Sequence, residues 1–354
     1  MPASAESDIK SLQLEDLQSL AQPSYRARQI TNWLYKKRVN SFAEMTDLPQ
    51  VLRGKLADDF SFENIEVVRT LGSTDTTRKY LFRLSDGNLI ESVLIPASPA
   101  LYGSPADRRT ICVSTQVGCA YGCKFCASGL DGWKRNLRPN EIVNQIIEAE
   151  RESGECIDNI VFMGMGEPLA NYDNVMRAIQ IINAPWGIAI GARHITISTS
   201  GLAPQIRKLA EQPLQIRLAV SLHGASDEVR SRIMPINRKY NLSALLEACR
   251  YFSSRKKQRI TFEYILIAAV NDSDEQARKL AKHAHALDAK VNLIPYNNVE
   301  GLDWIRPSVG RQKRFLALLR AAGVRATLRR EKGDDIAAAC GQLRLQVERI
   351  VLNA

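Results

Sequence analysis

The sequence predicts an α/β protein whose main body is an open, partial (βα)6 barrel, and three observations carry that expectation. From Thr110 onward, six short apolar runs alternate with helical stretches, the pattern of parallel strands joined by crossover helices. The residues with chemical potential fall just beyond the ends of those runs, on the rim where such barrels place their chemistry. With 354 residues and 45% hydrophobic content, the chain can bury one large core and still carry appendages.

The elements follow in order. Between Leu12 and Phe60, apolar residues recur at helical spacing (Leu12, Leu14, Leu17, Leu20, then Ile30, Trp33 and Leu34), which predicts a small helical module. Arg26, Arg28, Lys36, Lys37 and Arg38 lie on its basic side: a solvated helix face or an RNA contact. Alternation through Lys79-Tyr80-Leu81-Phe82-Arg83-Leu84, the turn Ser85-Asp86-Gly87-Asn88 and the run Leu89 to Ile95 predict a β-hairpin. The six barrel strands are expected at 110–114, 159–163, 194–198, 215–221, 260–266 and 290–294, with helices including 140–152, 173–182 and 242–251. A last helix near 311–321 leads into the basic residues Arg325, Arg329, Arg330 and Lys332. This gives a helical accessory domain at 1–62, a hairpin extension at 63–104, the barrel at 105–300 and a C-terminal segment at 301–354.

A net charge of +10 suits a polyanionic partner without proving one. No segment offers the apolar length of a membrane span, and the N-terminus lacks a signal pattern; a cytoplasmic protein without membrane attachment is expected. Seven cysteines, an odd number spread unevenly, argue for metal or redox chemistry rather than a disulfide framework.

Cys119, Cys123 and Cys126 form a C-x3-C-x2-C loop after the first barrel strand. Three thiolates on a 4Fe-4S cluster leave one iron open to chelate the amino and carboxylate groups of S-adenosylmethionine (SAM). Structural zinc is the competing reading and would need a fourth ligand from Cys112 or a histidine. Gly118 and Gly122 permit the turns, and Phe125 can shield the cluster. Past the second strand, Gly164-Met165-Gly166-Glu167-Pro168 offers close backbone approach and a carboxylate for an ammonium group, or simply a tight turn. Ser198, Ser221 and His223 fall at the ends of the third and fourth strands, and Asn297 beyond the sixth, so each can hydrogen-bond a ligand or be satisfied locally. Cys249 and Cys156 read as small hydrophobes. Cys340, among Ala337, Ala338, Ala339 and Gly341, has neighbours small enough for another molecule to come close. Cys112, Ser114 and Gln116 share one face of the first strand by alternation. Glu91 sits in a hairpin strand beside Ile90 and Val93, either an exposed member of an alternating strand or a buried acid.

The cradle resembles that of the radical SAM superfamily, and the resemblance extends along nearly the whole chain. Cys112-Val113-Ser114-Thr115-Gln116-Val117-Gly118-Cys119, Gly164 to Leu169, Ser198-Thr199-Ser200-Gly201, Ser221-Leu222-His223 and Asp335 to Leu343 are similar to the dual-specificity RNA methyltransferases that modify C2 of adenosine. The N-terminal residues Arg26, Gln29, Trp33, Tyr35, Met45, Thr46 and Leu48 look like theirs too. Ala337 and Asn298 depart from the family's pattern, which usually has a polar residue and often a proline at those positions.

The resemblance implies a radical SAM barrel with an RNA-binding N-terminal domain and one 4Fe-4S cluster on Cys119, Cys123 and Cys126. It implies a SAM site of Gly166, Glu167, Ser198, Ser221, Leu222, His223 and Asn297. Two SAM molecules would serve each turnover, one methylating Cys340 and one yielding the radical. Glu91 would be the proton acceptor, and Cys112 would resolve the adduct by forming a disulfide with Cys340. The implied partners are 23S ribosomal RNA, tRNA and an electron donor such as flavodoxin, with the target base flipped toward Cys340. Arg325, Arg329, Arg330 and Lys332 are candidate phosphate contacts. Methylation of adenine C8 by the same cysteine pair, and a non-catalytic iron-sulfur RNA-binding role, are the alternatives.

Overall fold

The structure, a computed structural model, describes residues 7–96, 108–130, 132–299, 301–329, 336 and 338. Helices α1 (Leu14–Leu20), α2 (Tyr25–Thr31) and α3 (Gln50–Asp59) open the chain, with a π-helical turn, Asn32–Lys37, running on from α2. They bury Leu17, Ala27, Ile30, Leu34 and Tyr35, the apolar stripe expected of the periodicity. The module docks on two barrel helices, α4 (Pro139–Ser153) and α5 (Tyr172–Asn183). Arg177 donates to the Ser11 carbonyl at 2.6 Å and ion-pairs with Asp16, while the Asn140 amide N–H donates to the Ser11 hydroxyl at 3.2 Å.

The strands β1 (Glu66–Gly72), β2 (Arg78–Arg83), β3 (Leu89–Pro96) and β4 (Arg109–Cys112) are antiparallel neighbours. The expected hairpin is therefore part of a larger antiparallel arm, and β3 joins that arm to the barrel sheet. Gly87 at φ +81° makes the turn, closed by the Leu84 N–H on the Asn88 carbonyl at 2.8 Å. A separate ribbon pairs β5 (Gln116–Gly118) with β6 (Trp133–Asn136).

The barrel strands after β4 are β7 (Asn159–Phe162), β8 (Ile195–Thr199), β9 (Arg217–Ser221), β10 (Thr261–Leu266) and β11 (Lys290–Pro295), each parallel to the one before. A further parallel strand, β12 (Ala326–Leu328), follows β11. It occupies the stretch read from sequence as the start of a basic run; Arg330 and Lys332 lie outside the described residues. Between the strands run α6 (Ala203–Ala210), α7 (Asp227–Ile233), α8 (Leu242–Lys256), α9 (Asp274–Ala286) and α10 (Val309–Ala321).

Helix ends follow their sequence signals. Pro139 starts α4, where Glu141 accepts the N–H of the N-cap residue Arg138 at 2.7 Å, Gly154 ends it in a left-handed conformation, and Ser273 accepts from the Gln276 N–H to cap α9. α5 buries Val175, Met176, Ile179, Ile181 and Ile182 against the sheet, each worth about 1.5–3 kcal/mol for full burial. Cys249 is core on α8, and Cys156 is exposed. Among the described residues, no helix is long and apolar enough to cross a membrane.

Candidate active site

The three cysteines sit on a loop that only glycine lets close. Gly118 has φ +74°, and a Cβ there would meet the Gly132 carbonyl oxygen at 1.9 Å; the same oxygen accepts from the Cys119 N–H at 2.8 Å. The loop is pinned across the barrel mouth by the Lys124 N–H on the Ile233 carbonyl at 2.9 Å, and by Phe125, whose ring meets His223 edge-on at 4.8 Å. Cys119, Cys123 and Cys126 all line one cleft of about 150 Å³. Burial pushes the Cys119 thiol up to about 12 and Cys123 well above its ordinary value, with neighbouring Cys126 adding to both. Thiols so placed keep their protons until a bound metal replaces them on sulfur and releases them to solvent, so the donor set fits a cluster. Among the described residues, no three His, Cys, Asp or Glu side chains converge on one point as ligands of a single ion do; the cluster assignment rests on the spacing, the shared loop and the family.

Opposite the loop lies Gly164-Met165-Gly166-Glu167-Pro168. A Cβ on Gly164 would meet Ser114 N at 2.8 Å, and one on Gly166, at φ +99°, would meet Gln116 Cβ at 2.5 Å. The turn is stitched to the segment after β4: Thr115 N–H donates to the Met165 carbonyl (2.8 Å), Met165 N–H to the Ser114 hydroxyl (2.9 Å) and Glu167 N–H to Gln116 Oε1 (2.9 Å). Glu167 lines the cleft, yet its oxygens already accept the N–H groups of Leu169 (3.1 Å) and Ser200 (2.6 Å). The sequence offered it to an ammonium group; in the structure it also straps the turn to the end of β8, with lone pairs to spare.

Ser198, Ser221 and His223 line the same cleft, while Leu222 is core. His223 adopts φ +54°, and its Nδ1 accepts the Ile265 N–H at 3.0 Å, so the proton of the neutral ring is on Nε2. Burial, aided by Arg230, pushes its pKa down to about 3. Arg230, which no sequence pattern marked, is fully buried and donates to the carbonyls of Leu222 (3.0 Å) and Ser200 (2.5 Å) and to Asn237 (2.9 Å). It ties together the ends of β8 and β9. Asn297 is buried after β11, where its side-chain oxygen accepts from Arg306 at 2.9 Å.

Glu91 and Cys112 come together on the inner face of the sheet. Val93 is the register partner of Cys112 and, by alternation, shares its face with Glu91. Glu91 is buried, not exposed, and ion-pairs with buried Lys79 at 3.2 Å. Its carbonyl accepts from the Ser114 hydroxyl at 2.6 Å. Cys112, Val93, Met165 and Ala338 form a small apolar cluster, flanked by Met163 and Ile336. Cys340 itself lies outside the described residues. Arg325 is exposed, while Arg329 is half-buried and faces the barrel interior.

The Radical SAM superfamily model matches residues 113–281, and the model of the ribosomal RNA large subunit methyltransferase N-terminal domain matches residues 8–61. A probable dual-specificity RNA methyltransferase RlmN of Akkermansia muciniphila is 54% identical over 324 residues, 92% of this chain and 90% of that protein. The dual-specificity RNA methyltransferase RlmN of Campylobacter curvus is 46% identical over 339 residues, 94% of this chain and 91% of that protein. A crystal structure of a radical SAM methyltransferase from Sphaerobacter thermophilus superposes with a TM-score of 0.88 at 45% identity, covering 96% of this chain and 99% of that one. The chain belongs to the radical SAM dual-specificity RNA methyltransferase family, enzymes that use a 4Fe-4S cluster and SAM to methylate RNA.

Proposed function

We propose that this enzyme methylates C2 of adenosine in 23S ribosomal RNA and in tRNA, with Cys340 as methyl carrier, Cys112 as resolving thiol and Glu91 as base. One observation carries the reading. Ala338, two positions before Cys340, packs with Cys112 and Val93, and two residues of chain reach at most about 7 Å. The ribosomal part is supported by the N-terminal family match, and the second RNA by the relatives' dual-specificity name.

When bound, the cluster and two SAM molecules per turnover supply the methyl group and the 5′-deoxyadenosyl radical. Cys119, Cys123 and Cys126 hold the cluster, and Gly166, Glu167, Ser198, Ser221, Leu222, His223 and Asn297 form the SAM site, with Leu222 acting through its backbone. Cys340 takes a methyl group as its thiolate, gives up a hydrogen atom from that methyl to the 5′-deoxyadenosyl radical, and adds the carbon to C2; the odd electron left on the adduct would pass back to the cluster. Glu91, ion-paired with Lys79, accepts the C2 proton. Cys112, as its thiolate, then attacks the Cys340 sulfur and breaks its bond to the methylene carbon; that carbon takes up a proton to become the methyl group of the released base, and a Cys112–Cys340 disulfide is left. The enzyme works in the cytoplasm with an electron donor such as flavodoxin.

Reaction of the reconstituted protein with ribosomal RNA fragments, tRNA and methyl-labelled SAM, without oxygen, tests this. Nucleoside analysis is expected to give 2-methyladenosine from both RNAs; 8-methyladenosine overturns the assignment. Cys112→Ala is expected to accumulate a covalent protein–RNA adduct.

A further inference from the structure

Glu263 lies mid-strand on β10, a position that no motif covers. It is only 5% exposed. Its register partners are Ser221 on β9 and Asn292 on β11, so the three side chains share the inner face of the barrel. The Thr327 hydroxyl donates to Asn292 Oδ1 at 2.5 Å, which turns the amide N–H₂ toward Glu263, where it donates to Oε1 at 3.1 Å. The carboxyl is thereby fixed in orientation. The other oxygen, Oε2, is buried and has no hydrogen-bond partner among the described residues.

A buried carboxyl oxygen without a hydrogen-bond partner is destabilising, and burial raises the pKa of this group against the opposing pull of the Arg329 charge. Such an atom is retained where a ligand completes it. Glu263 lines the same cleft as Ser198, Ser221 and the cluster cysteines. The two acids of that cleft are differently placed. Glu167 lies on the glycine-rich turn that lines the cleft with Cys119 and Cys123 and accepts the Leu169 and Ser200 N–H groups, which suits the amino-acid end of a ligand held at the cluster. Glu263 sits instead between Ser221 and Asn292, near Ile265 and Ile294. A serine hydroxyl beside an acceptor carboxylate matches a vicinal diol, which presents two O–H donors and two acceptor oxygens.

The geometry points to Glu263 as the anchor for the ribose hydroxyls of SAM, with Oε2 accepting from the diol of the adenosyl group. This rests on the reading of the cleft as the SAM site. Because the carboxyl is held on its other oxygen by Asn292, the sugar is positioned by a rigid acceptor.

The test is anaerobic equilibrium dialysis on cluster-reconstituted protein, with SAM and with its 2′-deoxy and 3′-deoxy analogues. The wild type is expected to bind at least one deoxy analogue about tenfold more weakly than SAM. Glu263→Ala is expected to bind SAM about tenfold more weakly and to lose that discrimination, with cluster absorbance unchanged; Glu263→Gln, which keeps an acceptor, recovers part of both. Equal affinity of the wild type for SAM and both analogues overturns the proposal whether or not any variant folds. Normal SAM affinity in Glu263→Ala while Ser198→Ala and Ser221→Ala lose it overturns the Glu263 assignment alone. Normal affinity in all three means that the cleft is not the SAM site. Weaker RNA binding with unchanged SAM binding assigns the carboxylate to the RNA nucleoside and overturns the ribose reading.

Discussion

Glu91 is held in a buried ion pair with Lys79, which on the proposed route positions the base. Both groups are buried and 3.2 Å apart, so removing one takes away the counter-charge that the other meets in a low-dielectric setting. Lys79→Met is expected to cost about 3–5 kcal/mol of stability. Denaturant titration of the variant beside the wild type measures that loss. Glu91→Gln should retain Cys340 methylation and lose resolution; turnover at the wild-type rate in that variant would rule out Glu91 as the base. His223 gives a pH effect with a definite sign. Its pKa falls from 6.5 to about 3 through burial, so the unfolded chain takes up a proton that the folded chain refuses. Its contribution to stability is full above about 6.5 and is lost as pH falls toward 3. Denaturant titrations of His223→Gln across that window should show a slope of stability against pH shallower by up to about one proton.

At the scale of elements, what the sequence made legible was what local pattern controls. The six barrel strands were predictable because each is a short apolar run closed by polar residues, and the Pro139, Gly154 and Ser273 signals fix helix ends through their own backbone chemistry. β1 escaped because its burial does not alternate cleanly, and β12 because three residues carry no period. The cysteine loop and the Gly-Met-Gly-Glu-Pro turn were readable from spacing alone. Arg230, Lys79 and Glu263 were not, since each acquires its role from partners on other strands. The turn nevertheless makes a sharp claim. In Gly164→Ala the new Cβ meets backbone at 2.8 Å, which cannot swing aside as a side-chain tip can. A loss of about 1–3 kcal/mol and weakened SAM binding are expected, read by thermal unfolding and equilibrium dialysis. If the variant binds SAM as the wild type does, the close approach of the turn to Ser114 is not what shapes the cleft.

The whole molecule places its chemistry and its charge on different parts. The barrel mouth carries the cluster loop, while the N-terminal module is fastened to α4 and α5 through Ser11, Asp16 and Arg177. Part of the module's basic side is spent internally: Arg38 pairs with Glu150, and Arg26 donates to Gln29 at 2.8 Å and to the Asp47 carbonyl. Arg28, Lys36 and Lys37 stay exposed, with the Lys37 ammonium 3.3 Å from the Trp33 ring centroid. A rigidly docked module with exposed cations is suited to grip RNA phosphates away from the reacting base, where contacts set register and orientation rather than chemistry. Counterion release then makes affinity fall with salt. If Lys36 and Lys37 each meet a phosphate, Lys36→Glu/Lys37→Glu should weaken RNA binding and reduce the slope of log K against log salt concentration by about 2. Cleavage of SAM in the absence of RNA should be untouched, because neither lysine approaches the cleft. Filter binding over a salt series, with 5′-deoxyadenosine formation assayed in parallel, separates the two. An unchanged slope would mean that this face is merely solvated and that the +10 charge meets RNA elsewhere, with exposed Arg325 the next residue to reverse.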